Sequence, residues 1–423
     1  MKKGECAHPI RIHGLCACCG EEISKTSEKL FTALHHNSDI LVSSTEAERH
    51  NEESFRRLTD EKKMVLLLDL DQTIIHTSVT RKFSGYYREL KEMPEKNATE
   101  EEKVIREIVE MSVEGFPYYV KKRDMLDWFL KKASEHFEVH IYTMGNKEYG
   151  NTVASILDRD RKIFGTRIVT RDDNLGCFEK DLSRIFPTNT KNVIILDDRP
   201  DVWGFSRNLL PIRPYVFFRS GDINSPDVLS GRKKGEKEEA EEADRAHVRK
   251  EDLLGAILGE CVAQMFDEEL KRIMCVLLEI HREYFETAEK DVVKILDRKK
   301  NVFEGCVARF FSSSFETEQY LSSLFVHHGG AIDVYVSKRT THVIITEGGI
   351  YLGPPPNRTI KYVGAKWMHE SIFSLRRLDE EQFACSPSAF AYGVESGTES
   401  ATESELEGES NDSLYDKIVK ETQ

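Results

Sequence analysis

MVLLLDLDQTIIH, residues 64 to 76, runs five apolar residues into two carboxylates, Asp69 and Asp71, with Thr73 two positions further on. Apolar runs this short, bounded by polar residues, read as strands buried on both faces, the kind found at the centre of a parallel sheet. Acids at the carboxyl end of such a strand stand where open α/β sheets place their ligands. A second segment repeats the form: VIILDDRPDVW, residues 193 to 203, carries its apolar residues straight into Asp197 and Asp198. Between the two lie FEVHIYT, ending at Thr143, and IFGTRIVTRDD, which read as further strands. Met125, Leu126, Phe129 and Leu130 fall on one face of a helix, and another helix follows Met144-Gly145-Asn146 through Ile156. Strands alternating with helices predict βαβ units in a right-handed, mostly parallel sheet.

At 423 residues the chain has room for two or three domains, and 39% hydrophobic with 32% charged residues is a globular but polar composition. A formal net charge of −14 argues against binding bare nucleic acid by the whole surface, so a site for an anionic substrate must reverse the sign locally. Lys121, Lys122, Arg123, Lys180 and Arg199 are the cations available for that. No apolar run approaches the roughly 18 residues of a membrane span, and the start, MKKGECAHPIRIHG, lacks the apolar core of a signal peptide. A soluble, intracellular chain is expected, with its nine cysteines as free thiols.

Cys16 and Cys19 form a C-x-x-C pair on a tight turn, with Cys6 and His8 upstream as further ligands. The set suits a tetrahedral Zn²⁺ site, but a single short C-x-x-C knuckle favours the plainer reading, a turn of reduced cysteines packed on the next domain. Residues 25 to 60 read as a polar linker or loose helical lead-in, and Thr77 to Gly115 as a surface insertion over the strand ends. Residues 227–250 are an alternating-charge linker. Leu270, Ile273, Leu277, Ile280 and Tyr284 mark an amphipathic helix in a module of residues 251–300 that packs on the main domain. Residues 301–385 form a small α/β unit with strands CVARFF, IDVYV and HVIIT and a helix carrying Trp367. The acidic segment 386–423 lacks the apolar residues to fold alone.

If the strands ending at Asp69 and Asp197 are neighbours, Asp69, Asp71, Asp197 and Asp198 share one pocket. Like charges so close stay ionised only around a cation, and hard oxygen ligands with room for water suit Mg²⁺. A calcium loop does not fit, because the sixth and twelfth positions hold Ile74 and Thr80 rather than glycine and glutamate. Phosphoryl transfer needs a nucleophile, an acid for the leaving group and charge to neutralise the phosphate oxygens. Asp69 is the expected nucleophile, Asp71 the general acid and base, Thr143 a phosphate-binding hydroxyl and Lys180 the cation.

DLDQT, YTMG, Lys180 and LDDR, in that order, resemble the haloacid dehalogenase superfamily of phosphatases. DLDQTIIH, FEKDLSRIFP around Lys180, and VIILDDRPDVW followed by FFRSGDIN resemble, more narrowly, the TFIIF-associating phosphatases of the RNA polymerase II C-terminal domain, over roughly residues 61–226. The resemblance implies a haloacid dehalogenase-like Rossmannoid parallel sheet, a Cys-rich segment at 1–25, a helical module and a BRCT-like domain, the last carried by Gly329-Gly330 and the Trp367 helix. It implies Mg²⁺, phosphoserine in the heptad repeats of the polymerase tail as substrate, general transcription factors docking on the acidic tail, and a nuclear location, with no direct nucleic-acid or membrane partner. Residue by residue it makes Asp69 the nucleophile, Asp71 the acid/base, Thr73 and Thr143 phosphate-site hydroxyls, Lys180 the motif lysine and Asp197 with Asp198 metal-side acids. Arg123 matches an arginine required near the phosphate, although Asp124 follows it where the family often has proline, and Asp158 matches a further acid. His76, Trp203 and Trp367 are expected to pack rather than react. Two other readings remain, a small-metabolite phosphatase of the same superfamily and a non-catalytic transcription scaffold.

Overall fold

The computed structural model describes residues 6–23, 31–34, 37–79, 87, 91, 100–174, 179–219, 267–288, 290–346, 348–351 and 359–385. The charged linker at 227–250, most of the charged run within 77–115 and the acidic tail at 386–423 lie outside them. Near the start, β1 (Ile10–Ile12), β2 (Leu15–Cys16), β3 (Phe31–Leu34) and β4 (Asn37–Val42) form an antiparallel sheet in the order β2-β1-β4-β3. Helix α1 (Ser44–Asp60) follows, its first turn capped by the Ser43 hydroxyl, which accepts from Glu46 N. The linker expected across residues 25 to 60 is therefore, where described, two strands and a 17-residue helix. No periodicity announces α1 because it buries only Ala47 and Leu58; its cap and the Arg49–Glu53 and Arg56–Glu52 pairs hold a helix that is polar nearly all round.

The chain then enters β5 (Met64–Leu68), whose side chains are buried on both faces. After a turn come β6 (Ile75–Ser78), α2 (Glu100–Arg106), β7 (Val109–Val113) and β8 (Phe116–Lys122), and the three strands make an antiparallel sheet in the order β6-β8-β7. The expected surface insertion is thus rooted in a sheet, with Thr77 paired to Val120. Helix α3 (Leu126–His136), β9 (Phe137–Tyr142), α4 (Lys147–Leu157), β10 (Ile168–Val169), β11 (Val193–Asp197) and β12 (Leu209–Pro211) complete the main unit. Its sheet runs β10-β9-β5-β11-β12 with every pairing parallel. β5 and β11 lie side by side, with Leu68 opposite Leu196, so Asp69 and Asp197 leave adjacent strands together.

Helices α5 (Glu269–Glu286) and α6 (Val292–Lys300) pack on this unit: Leu270, Ile273, Leu277, Ile280 and Tyr284 are buried in the same core as Phe129 and Leu130 of α3. The last unit contains β13 (Val307–Phe311), α7 (Phe315–His327), β14 (Ala331–Ile332), β15 (His342–Ile345), β16 (Lys361–Gly364) and α8 (Ala365–Ser374), with a parallel sheet in the order β14-β13-β15-β16. It is the small α/β BRCT-like domain of the fold class read from the sequence. Trp367 is fully buried and its indole N–H donates to Leu378 O at 2.9 Å. Gly330 is required because a Cβ there would fall 2.1 Å from the Phe325 ring. The strand expected across IDVYV stops at Ile332; Val334 and Tyr335 are exposed, and an alternating run without a partner cannot extend the ladder. No helix among the described residues is long and apolar enough to cross a membrane.

Candidate active site

Asp69, Thr143 and Asp197 close the carboxyl ends of the three central strands, and the ladder continues into the site, Asp69 N donating to Leu196 O at 3.1 Å. Lys180 comes from the segment before a short 3₁₀ turn at Leu182–Arg184, and its own N–H is anchored on Val202 O at 2.8 Å. Its ammonium donates to Asp69 Oδ1 at 2.5 Å and to Asp197 Oδ2 at 2.7 Å. Asp197 also accepts from the Trp203 indole at 2.7 Å and from Arg199 N at 2.8 Å. Asp69, Asp197 and Asp198 each bring an oxygen within 4.8 Å of the other two.

Three carboxylates and one ammonium leave two negative charges in excess when all are ionised. Burial, with Asp197 and Asp198 close by, pushes Asp69 well above the ordinary carboxylate range despite the pull of Lys180. Burial and Asp197 push Asp198 up to about 7. Lys180 is buried, which alone would favour the neutral amine, yet Asp197 and Asp69 hold it charged and move its pKa upward. A dication is what this donor set lacks for neutrality, and hard carboxylate oxygens suit one. Because Asp197 already accepts three protein hydrogen bonds, Asp69 and Asp198 have the more accessible oxygens for it.

Asp71 leaves the same loop in a different direction. Gln72 takes a left-handed conformation at φ 62°, and Gln72 N closes the turn on Ile75 O at 2.7 Å. Asp71 Oδ1 accepts from the Tyr149 hydroxyl at 2.5 Å, and that hydroxyl shares a second hydrogen bond with Thr77 Oγ1 at 2.7 Å. Thr143 Oγ1 accepts from Gly145 N at 3.0 Å, which leaves its proton to donate elsewhere. One pocket is lined by Asp69, Asp71, Thr143, Lys180, Asp197 and Asp198.

Several expected roles change on this geometry. Asp71, expected among the metal ligands, has its carboxylate outside the close cluster and bound to Tyr149. Thr73 is fully buried away from the pocket: its hydroxyl donates to Asp198 Oδ1 at 2.9 Å and accepts from Asp198 N at 3.2 Å, so it positions that acid and does not reach a phosphate. Arg123 donates to Thr73 O and Arg213 O, each at 2.8 Å, and pairs with Asp267 at 2.7 Å, all outside the pocket. Asp124, the departure from proline, accepts from Asp267 N at 2.9 Å and so belongs to the same clamp. Asp158 accepts from the amides of Lys162, Ile163 and Phe164, a loop anchor. Lys121 and Lys122 pair with Glu107 and Asp127, whereas Arg199 lines the pocket while paired to Asp201.

His76 does pack: its Nδ1 accepts from the amides of Phe217 and Phe218. Trp203 packs edge-on against Tyr142 at 5.0 Å and also holds Asp197. Its second role is findable in principle, since a buried indole N–H must have an acceptor. Tyr149 gives no such signal, lying 78 residues from the acid it binds. Tyr118, Asn146 and Arg171 also line the pocket, and nothing in their sequence setting marks them.

Residues 64–231 match the family model described as NLI interacting factor-like phosphatase. An RNA polymerase II C-terminal domain phosphatase from Encephalitozoon cuniculi is 30% identical, over 89% of this chain and 94% of its own length. The protein of the same name from Schizosaccharomyces pombe is 37% identical over 52% of this chain and 32% of its own. A solved structure of Fcp1, an essential RNA polymerase II CTD phosphatase, superposes with a TM-score of 0.62 at 30% identity, covering 79% of this chain and 99% of that one. The chain belongs to this family of RNA polymerase II C-terminal domain phosphatases. A second Fcp1 structure, of a fission yeast point variant bound to beryllium fluoride, gives a TM-score of 0.63 at 30% identity, over 80% of this chain and 100% of that one. Membership in the Fcp1-type phosphatases implies a divalent metal, and the Asp69, Asp197 and Asp198 cluster is where the donors for one converge.

Proposed function

We propose that this chain is a Mg²⁺-dependent protein serine phosphatase that acts in the nucleus on the phosphorylated heptad repeats of the RNA polymerase II C-terminal tail. The observation that carries the reading is the pair Asp69 and Asp71 on one loop, the first gripped by Lys180 and the second by Tyr149. The names of the full-length relative from Encephalitozoon and of the solved Fcp1 structures support the substrate. Mg²⁺, held by Asp69 and Asp198 with Asp197 anchoring Lys180 behind them, would supply positive charge to the phosphate oxygens.

In the first step Asp69 Oδ attacks phosphorus, the bond from phosphorus to the serine oxygen breaks, and Asp71 gives that oxygen its proton. In the second, Asp71 takes a proton from water, whose oxygen attacks the aspartyl-phosphate and frees Asp69 and phosphate. Lys180 steadies the nucleophile, and the Thr143 hydroxyl faces the phosphoryl oxygens. Arg123 acts at one remove, binding the Thr73 carbonyl and so fixing the loop that carries both acids. Residues 61–226 carry this chemistry in our reading, with 251–300 as a buttress, 301–385 as an appended domain and the acidic tail as a docking site for general transcription factors. The test is phosphate release, with and without Mg²⁺, from heptads phosphorylated at single serines, compared with sugar phosphates and nucleotides. Preference for the heptads supports the reading; equal rates on all three overturn the assigned substrate.

A further inference from the structure

Four side chains on and around the first hairpin converge although the catalytic site makes no use of them. Cys6 and His8 lie on the arm leading into β1, while Cys16 ends β2 and Cys19 follows it on a turn closed by Gly20 N donating to Cys16 O at 2.8 Å. One ligand atom from each lies within 4.8 Å of the other three. Cys6 Sγ and Cys16 Sγ are 3.7 Å apart, and Cys19 Sγ is 3.4 Å from His8 Nδ1. Zn–S bonds of about 2.3 Å and Zn–N bonds of about 2.0–2.1 Å at the tetrahedral angle give edges of about 3.8 Å between sulfurs and about 3.6 Å between sulfur and nitrogen. The observed separations match those edges, and they are far too long for a disulfide.

The surroundings are those of ligands rather than of loose thiols. Cys18 N donates to Cys16 Sγ at 3.3 Å, an amide aimed at a sulfur that carries negative charge when it binds metal. His8 turns Nδ1 into the cluster and leaves Nε2 on the outer side, 3.8 Å from the Glu21 carboxylate. Cys18, within the same C-x-x-C loop, is exposed and outside the set.

We propose that Cys6, His8, Cys16 and Cys19 bind a structural Zn²⁺ that fastens the N-terminal sheet. Four protein ligands close the tetrahedron and leave no open position, which separates this site from catalysis. Its fold-level role is to join the sheet to α1 through Ser43, whose N–H donates to Pro9 O next to the His8 ligand. From there α1 reaches the catalytic unit, where Leu58 is buried with Val65 and Leu67 and Asn51 binds Thr188 at 2.7 Å.

The test replaces bound metal in the full chain with Co²⁺ and records the near-ultraviolet thiolate-to-cobalt charge-transfer band, which carboxylate ligands cannot produce. The expected result is one equivalent of zinc in the purified protein and a strong band from the cobalt form. The band is retained by Cys18→Ser and lost or severely weakened by Cys19→Ser. Alkylation of the wild-type chain, read by mass spectrometry, removes dependence on how the variant folds: Cys6, Cys16 and Cys19 should be protected until a chelator is added, and Cys18 labelled throughout. Absence of zinc and of the band, a band unaffected by Cys19→Ser, or equal labelling with and without chelator would overturn the proposal.

Discussion

The Tyr149 hydroxyl donates to Asp71 Oδ1 at 2.5 Å and is itself paired with Thr77 at 2.7 Å. Helix α4, β6 and the loop after β5 thereby meet on the group assigned to proton transfer. Tyr149 is a positioning residue, held by Asn146, whose side chain accepts from Tyr149 N at 2.8 Å. Tyr149→Phe keeps the ring in its apolar socket and removes the bond. A charge-assisted hydrogen bond of roughly 1.5–3 kcal/mol corresponds to a fall in kcat of about tenfold or more. Steady-state kinetics on a phosphorylated heptad should show that fall with KM little changed; a rise in KM at constant kcat would mean that Tyr149 binds substrate instead.

Trp203 and Lys180 share Asp197 as acceptor. Trp203→Phe leaves the ring contact with Tyr142 largely in place but frees Asp197 to turn, and Lys180 with it. The expected loss in kcat is about tenfold, from one hydrogen bond to a charged group. Circular dichroism of the variant should be unchanged, and wild-type kcat in this variant would show that Lys180 alone fixes the acid.

Arg123 and Asp267 form a pair in which both side chains are almost fully buried. Removing one member of such a pair strands a charge, at a cost of about 3–5 kcal/mol. Arg123→Ala and Asp267→Ala should therefore lower the urea midpoint similarly, and Arg123→Ala should reduce turnover on phosphopeptide and on a small aryl phosphate by the same factor. Loss confined to the phosphopeptide, with an unchanged midpoint, would return Arg123 to the substrate.

Much of this site is legible from sequence because strand ends are. Apolar runs that stop at Asp69 and Asp197 announce both their burial and their neighbourhood, and Lys180 is drawn between them by charge. Thr73 is not legible in the same way: whether a hydroxyl two residues past an acid faces phosphate or Asp198 depends on the left-handed turn at Gln72, which an ordinary glutamine does not advertise. Arg123 fails for a related reason, since its partner Asp267 lies 144 residues downstream, just before a helix that the pattern placed only as packing. The helix at α1 is hidden because caps and ion pairs rather than an apolar stripe maintain it.

Glu138 joins β9 to α1 through Arg57 at 2.6 Å and contacts His140 at 3.2 Å. Against the cost of its burial, His140 and Arg57 hold its pKa down to about 2 from the ordinary 4.5. A depressed carboxylate contributes stability that is complete above its unfolded value and lost as pH falls toward its folded one. The gap in urea midpoint between wild type and Glu138→Gln should be steady above pH 5 and shrink between pH 4.5 and about 2. A gap that stays constant down to pH 3 would contradict the assignment.

The central claim is that Asp69 receives the phosphoryl group. Its direct measurement is mass spectrometry of enzyme mixed with a phosphorylated heptad and Mg²⁺, quenched in acid and digested. A phosphoryl adduct on the peptide containing Asp69 in wild type, with neither adduct nor phosphate release from Asp69→Asn, is the predicted result. Phosphate release by Asp69→Asn at the wild-type rate would contradict it.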